Sequence, residues 1–336
     1  MTIKTNGKMA LVIGATGGVG GAIAARLVQD GWQIKALNRD PESAARRAPL
    51  KGLTWVKGDA MDAASVLAAA VGVSLIVHGA NPPGYKNWKG TALPMLESSI
   101  AAALAHDARL FFPGTVYNYG PDAGAAVAED APQNPKTRKG AIRVAMERRL
   151  VESGVKTLIL RMGDFFGSAS AGNSWFAQGL ITPGRVPRSV TYPGPHDVGH
   201  AWGYLPDVAE AAVRLIAREG ELGRFEAFHF GGHWLAPGVE MANAIRRVLG
   251  IPNAPIRRLP WWAIRLIAPF NETMREMLEM RYLWQRPLRL TNAKLVRFLG
   301  AEPHTPLDMA VAATLKTLGS LPMQEGEKAG PALRAA

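Results

Sequence analysis

Met9 to Gly20, MALVIGATGGVG, constrains this chain more than any other stretch. Met9 to Ile13 is a short apolar, partly β-branched run and reads as a buried strand. It ends in glycines at 14, 17 and 20, and Ala22 to Gln29 then reads as a helix closed by Asp30 and Gly31. Strand, glycine turn and helix together make a phosphate cradle. Gly14 permits the tight turn, Gly17 lets backbone approach a diphosphate, and Gly20 lets the helix pack close to the strand. The N–H groups and dipole at the helix start favour an anion, with Thr16, Gly18 and Val19 completing the turn.

The chain is 336 residues long, enough for one large domain or two unequal ones. It is 48% hydrophobic and 20% charged, as a soluble globular protein is. It has no cysteine, which excludes disulfides, thiol nucleophiles and cysteine zinc sites and fits a cytoplasmic location. The first apolar run is too short for a signal peptide, and no stretch is long enough to cross a bilayer, so no membrane partner is expected. The net charge of +12 suits either an anionic ligand or a merely basic surface. Lys and Arg are spread along the chain without a nucleic-acid motif, so nucleic acid is not the expected partner.

Trp32 to Leu37 reads as a second strand, followed by Asn38 and Arg39. An acidic residue there would bind ribose hydroxyls and repel a 2′-phosphate, whereas an arginine takes that phosphate by charge-assisted hydrogen bonds. NADP is therefore expected over NAD. Leu53 to Lys57 is a third strand, leading to Gly58-Asp59-Ala60. Asp59 either meets the adenine amine or caps the next helix, with Asp62 as the competing cap. Ser74 to Val77 is the fourth strand; His78 after it reads as packed, and Gly79-Ala80-Asn81 suit a backbone lying against a dinucleotide. A helix over Thr91–His106 and a fifth strand over Arg109–Phe112 follow. A helix over Lys136–Glu152, a sixth strand over Lys156–Leu160 and a seventh over Glu226–Phe230 come later. This alternation predicts an α/β protein with a Rossmann-type, doubly wound parallel sheet.

From Gly167 to Gly203 the chain turns rich in Gly, Pro and Ser, as loops shaping a pocket do. After Gly232 it reads as mainly helical, with one long helix over Pro260–Trp284. The expected division is a dinucleotide-binding domain over 1–166 and 201–232 and a smaller substrate domain over 167–200 and 233–320. The tail 321–336 reads as disordered. Asp164, Asn173 and Trp175 are candidate pocket residues, and Trp261, Trp262, Trp284, Met274, Met277 and Met280 read as helical core. The pairs His196/His200 and His229/His233 do not make a zinc motif, and no metal is expected.

Several motifs in order resemble the extended, atypical branch of the short-chain dehydrogenase/reductase superfamily, whose members include NAD-dependent epimerases and dehydratases. They are GATGGVG at Gly14–Gly20, GDAMD at Gly58–Asp62, PGTVYNYG at Pro113–Gly120, LRMGDFFG at Leu160–Gly167 and YLPDVAEA at Tyr204–Ala211. The resemblance implies that Thr115 stands where the family has its catalytic Ser/Thr, and that Met162 and Gly163 lie at the cofactor. It also implies that the family's Tyr-x-x-x-Lys pair is replaced by Lys139 and Arg143, so the usual tyrosine is missing. Arg143 can still hold ribose hydroxyls. The missing proton donor is then sought in Lys139, Tyr117 or Tyr119, with Tyr192 and Tyr204 more remote. Arg143 and Arg149 are expected to separate, one toward cofactor and one toward water.

The expected function is an NADP-dependent oxidoreductase or epimerase-type enzyme acting on a small molecule. The alternative is a non-catalytic NADP(H) sensor; a charge-driven nucleic-acid binder is a third. Relatives dimerise through a helical face, so a homodimer is the expectation by analogy.

Overall fold

The structure, a computed structural model, describes residues 8–48, 50–82, 86–167 and 174–321. Asn173 and the chain beyond Leu321 lie outside the described residues. Seven strands form the main sheet: β1 Met9–Ile13, β2 Gln33–Asn38, β3 Leu53–Lys57, β4 Leu75–His78, β5 Arg109–Thr115, β6 Thr157–Met162 and β7 Phe225–His229. Their order is β7-β6-β5-β4-β1-β2-β3, and every pairing is parallel. The order reverses between β1 and β4, and such a sheet opens its ligand crevice at the carboxyl ends beside that point.

Alternation along the strands explains the layers. Ala10 and Val12 of β1 join Ile34, Val77, Phe111 and Phe228 on one face, under α1 (Gly18–Gln29) and α6 (Leu205–Ala217). Leu11 and Ile13 join Ile76, Leu110, Phe112 and Ile159 on the other. That face is covered by α3 (Ala63–Ala69), α4 (Trp88–Ala105) and α5 (Arg138–Ser153); α2 (Pro41–Arg47) lies beside β2 and β3. Strands buried on both faces need the near-continuous apolar runs that this sequence has. The expected doubly wound parallel sheet is the fold observed.

Outside the main sheet, Asp164–Phe166, His200–Tyr204 and His233–Leu235 form a three-stranded sheet. Val190–Tyr192 pairs with Ile256–Arg258, and Ala126–Val127 with Arg289–Leu290. The helical C-terminal region consists of α7 (Glu240–Val248), α8 (Trp261–Ile267), α9 (Glu272–Glu279), α10 (Tyr282–Gln285), α11 (Ala293–Leu299) and α12 (Leu307–Thr317). A separate core of Phe166, Phe176, Trp202, Met241, Trp284 and Leu315 holds most of it together.

The single helix expected over 260–284 is three helices. Proline at 269 has no N–H to continue a ladder, and the Asn271 side chain caps α9 by accepting from Met274 N at 3.1 Å. The tryptophans separate as a result. Trp284 is core, Trp261 is half-buried, and Trp262, expected in the core, is 72% exposed. Asp62, not Asp59, caps α3, accepting from Ala64 N at 3.1 Å. No described helix is long and apolar enough to cross a membrane.

Gly20→Ala tests how closely α1 must approach β1, since a Cβ there would lie 2.5 Å from the Gly14 carbonyl oxygen. The expected outcome is a loss of about 2 kcal/mol by overpacking, read as a melting point several degrees lower.

Candidate functional site

At the carboxyl ends of β1, β4, β5 and β6 lies a cleft of about 560 Å³. One wall is the turn from Gly14 into α1, through Thr16, Gly17, Gly18 and Val19. Gly14 has φ +89°, and a Cβ on it would lie 2.6 Å from the Gly79 carbonyl carbon, so only glycine suits this crossing. Gly17 begins the helix with no side chain capping it and no acidic residue in the first turn. The first amides of α1 therefore open on the cleft with the positive end of the helix dipole behind them. Together these features fit the diphosphate of a dinucleotide.

The floor holds His78, Gly79, Ala80, Asn81, Thr115, Tyr117, Arg143, Met162, Gly163, Asp164 and Gln178. Arg143 is buried, and its guanidinium stands 5.0 Å from the Phe112 ring centroid and 5.5 Å from that of Trp88. Burial pulls its pKa down, opposed by Tyr117 and Glu147. Among the described residues its one hydrogen bond is long, 3.5 Å, to the Pro113 carbonyl, and its Nε has no partner there. A cation held this way can donate to ribose hydroxyls. Arg149, on the same helix, pairs with Glu97 at 2.7 Å, so the two arginines do separate.

His78 is packed, as expected, with its Nδ1 2.8 Å from Ser99 Oγ. The Ser99 hydroxyl donates to the Met95 carbonyl, so His78 Nδ1–H donates to Ser99, and Nε2 has no partner among the described residues. Burial, then Arg143, pushes its pKa down to about 3. Sequence reasoning missed the pairing of Asp164 with His200, 2.8 Å apart. His200 Nδ1 faces the Leu283 carbonyl at 3.2 Å, and the ring stacks on Trp284 at 3.9 Å. Both ring nitrogens thus face acceptors, the Leu283 carbonyl and the Asp164 carboxylate. The HxxxH spacing drew attention to His200, but nothing local announced Asp164 as its partner.

Four of the proton-donor candidates do not line the cleft: Tyr192 and Tyr204 are buried in the core of the C-terminal region, and Tyr119 and Lys139 are held elsewhere. Tyr119 is fully buried, its hydroxyl 2.8 Å from His229 Nε2 and accepting from Arg161 Nη1 at 3.3 Å. Arg161 in turn donates to both oxygens of Glu147, at 3.1 and 2.7 Å. Burial pushes the Tyr119 phenol up to about 12. Lys139 is 1% exposed and paired with Glu276, with Glu279 at 3.7 Å, both on α9. Burial pulls its pKa down and the two carboxylates oppose this. Neither faces a ligand placed in the cleft, because each is committed to a partner more than a hundred residues away. Tyr117 remains, on the cleft floor near Arg143.

Gly20 lies behind the cleft, against Gly14 and Gly79. Asn38, which ends β2, Arg39 after it, and Asp59 and Ala60, after β3, sit outside its lining. Arg39 is exposed, and the neighbouring Asp40 is turned away, accepting from Ser43 N at 3.0 Å to cap α2. The Asp59 carboxylate accepts from Met61 N at 3.0 Å. No group of three metal-binding side chains exists among the described residues.

Residues 10–230 match the model of the NAD dependent epimerase/dehydratase family. A dTDP-6-deoxy-L-talose 4-dehydrogenase (NAD(P)(+)) from Kitasatospora kifunensis is 25% identical over 177 residues, 48% of this chain and 54% of that protein. The matched stretch thus spans about half the length of that relative. Among solved structures, the Bordetella bronchiseptica enzyme WbmH in complex with NAD+ superposes with a TM-score of 0.68 at 22% identity, over 92% of this chain and 97% of that one. MoeE5 in complex with UDP-glucose and NAD gives 0.69 at 15% identity, over 93% and 98%. At these identities the likeness speaks for the fold.

Buried histidines set the expected acid response. His78 and His229 are pushed down to about 3 and His233 to about 4, all below the ordinary 6.5. Between those values the unfolded chain binds protons that the folded chain does not, so stability falls as pH drops from about 6.5 toward 4. Roughly 1–2 kcal/mol per histidine should be lost by pH 5. Melting curves against pH check this, and His78→Asn should flatten the slope; an unchanged slope contradicts the assignment.

Proposed function

This chain belongs to the NAD dependent epimerase/dehydratase family, and on that premise we propose an NADP-preferring oxidoreductase or epimerase-type enzyme acting on a carbonyl or carbinol of a small molecule. When bound, the nicotinamide supplies or accepts the hydride. The observation that carries this reading is one cleft joining the uncapped start of α1 to Arg143, Thr115 and Tyr117. The α1 amides hold the diphosphate. Arg39 takes a 2′-phosphate, since Asp40 spends its carboxylate on α2. Arg143 donates to the nicotinamide ribose. The Thr115 hydroxyl orients the substrate oxygen, and the Tyr117 phenol moves the proton, replacing a tyrosine that this chain lacks on α5. Met162 and Gly163 lie against the nicotinamide. The loops and helices over 167–200 and 233–320 act as the substrate domain over the cofactor domain.

The sugar nucleotides named for the related proteins make a glycosyl carbinol a suitable first substrate class. The withdrawal of Lys139 into its pair with Glu276 favours one second reading, a sensor that binds the dinucleotide without turning anything over.

Binding and turnover separate these. Arg39→Ala should weaken NADPH about tenfold, the loss of one charge-assisted contact, and leave NADH unchanged. With NADPH and a panel of aldehydes, ketones, quinones and nucleotide sugars, Tyr117→Phe and Thr115→Ala should each lower kcat about a hundredfold with cofactor affinity intact. Equal rates in these variants and the wild type remove both residues from the chemistry. Calorimetry giving different affinities for NADP and NADPH, with no turnover on any substrate, establishes the sensor.

A further inference from the structure

On α8 and the turn after it, the apolar side chains point the wrong way for a soluble surface. Trp262, Leu266 and Phe270, spaced four residues apart, are 72%, 67% and 92% exposed, and Ile267 beside them is 50% exposed. Ile264 and Ala268 bury the other side, and the Trp261 indole N–H donates to the Pro193 carbonyl at 2.6 Å, fixing the helix on the body. The exposed tips therefore belong to a positioned face.

Its surroundings are cationic. Arg257, Arg258, Arg265 and Arg275 are exposed around it. Residues 250–271 contain three arginines and no Asp or Glu. Arg257 and Arg258 also line, with Arg185 and Arg188, a cleft of about 940 Å³ that has no acidic residue in its wall. None of these six arginines is in an ion pair among the described residues. The carboxylates of the next helix, α9, are engaged elsewhere: Glu272 accepts from Asn87 N, and Glu276 and Glu279 hold Arg138 and Lys139.

We propose that α8 and Phe270 dock this protein on an anionic phospholipid bilayer, the apolar tips entering the acyl boundary and the arginines meeting headgroup phosphates. An occupant of this face must be apolar at its centre and negative at its rim, as such a bilayer is. A second copy of the chain fits poorly, because a two-fold contact would set arginines against arginines. A protein pocket for isolated, almost fully exposed tips would have to be acidic all round. Docking of this kind needs no spanning helix. Gln178 lines both the basic cleft and the cofactor cleft, so the two clefts adjoin.

The full chain is sedimented with vesicles of phosphatidylcholine alone or mixed with phosphatidylglycerol. Wild type should partition into the mixed vesicles at least about tenfold better, less so at high salt. Trp262→Ser with Leu266→Ser and Phe270→Ser should lose about tenfold or more of that partitioning, with melting point and NADPH affinity unchanged, since all three side chains are exposed. Arg257→Gln with Arg258→Gln and Arg265→Gln should lose it comparably and flatten the salt dependence. Wild type that stays in solution with both vesicles overturns the proposal, as does undiminished binding by the apolar triple variant, which would mean attraction by net charge alone. Light scattering that finds a dimer dissolved by the triple variant assigns the face to a second copy and overturns it too.

Discussion

Three glycines in contact set the geometry on which this molecule depends. A Cβ on Gly14 would strike Gly79, one on Gly20 would strike Gly14, and one on Gly79 would come within 3.0 Å of the Gly20 Cα. Two strands and a helix start thus meet with nothing between them but backbone. That contact lies at the point where strand order reverses, and it aims the first amides of α1 into the crevice. Any side chain there would separate β1 from β4 or lift α1 off the sheet.

The remaining parts of the site are held by charge buried deep in the protein. Arg161 of β6 and Glu147 of α5 form a buried pair beneath the cleft, with Tyr119 and His229 hydrogen-bonded to its arginine. Lys139 and Glu276 tie the same helix to α9 in the C-terminal region. Two buried pairs thus hold α5, and Arg143, between them on that helix, lines the cleft in no ion pair among the described residues. Removing one partner of a buried pair leaves an uncompensated charge, so these contacts tie the position of Arg143 to the packing of α9. In the reading proposed above, it is Tyr117 of the neighbouring turn, not a residue of α5, that carries the proton.

The C-terminal helices divide their labour. The α9 side faces inward and holds α5, while α8, separated from it by Pro269 and Phe270, turns aromatic and aliphatic tips outward among arginines. One proline-containing turn thus converts what would have been a continuous core helix into an inward brace and an outward face.

What the sequence determined by itself was the sheet and its cradle. Alternating apolar runs and helices located all seven strands to within a residue or two at their starts, because burial on both faces leaves a local signature in each strand. Glycine spacing located the anion-binding turn for the same reason: φ above zero and backbone contact admit few other residues. Side-chain direction was legible only where one element continued. Tyr117 and Tyr119, two residues apart, go to opposite destinations because the 3-10 turn over Val116–Asn118 lies between cleft and core. Lys139 and Arg143 share a helical face, yet Lys139 is drawn away by a carboxylate 137 residues further along. His200 and Asp164 meet across 36 residues, and Trp262 is exposed because α8 packs on the body through Ile264 and Ala268. Local periodicity specifies backbone and face, whereas which distant charge or ring answers a given side chain is decided when the elements pack, and only the tertiary structure records that choice.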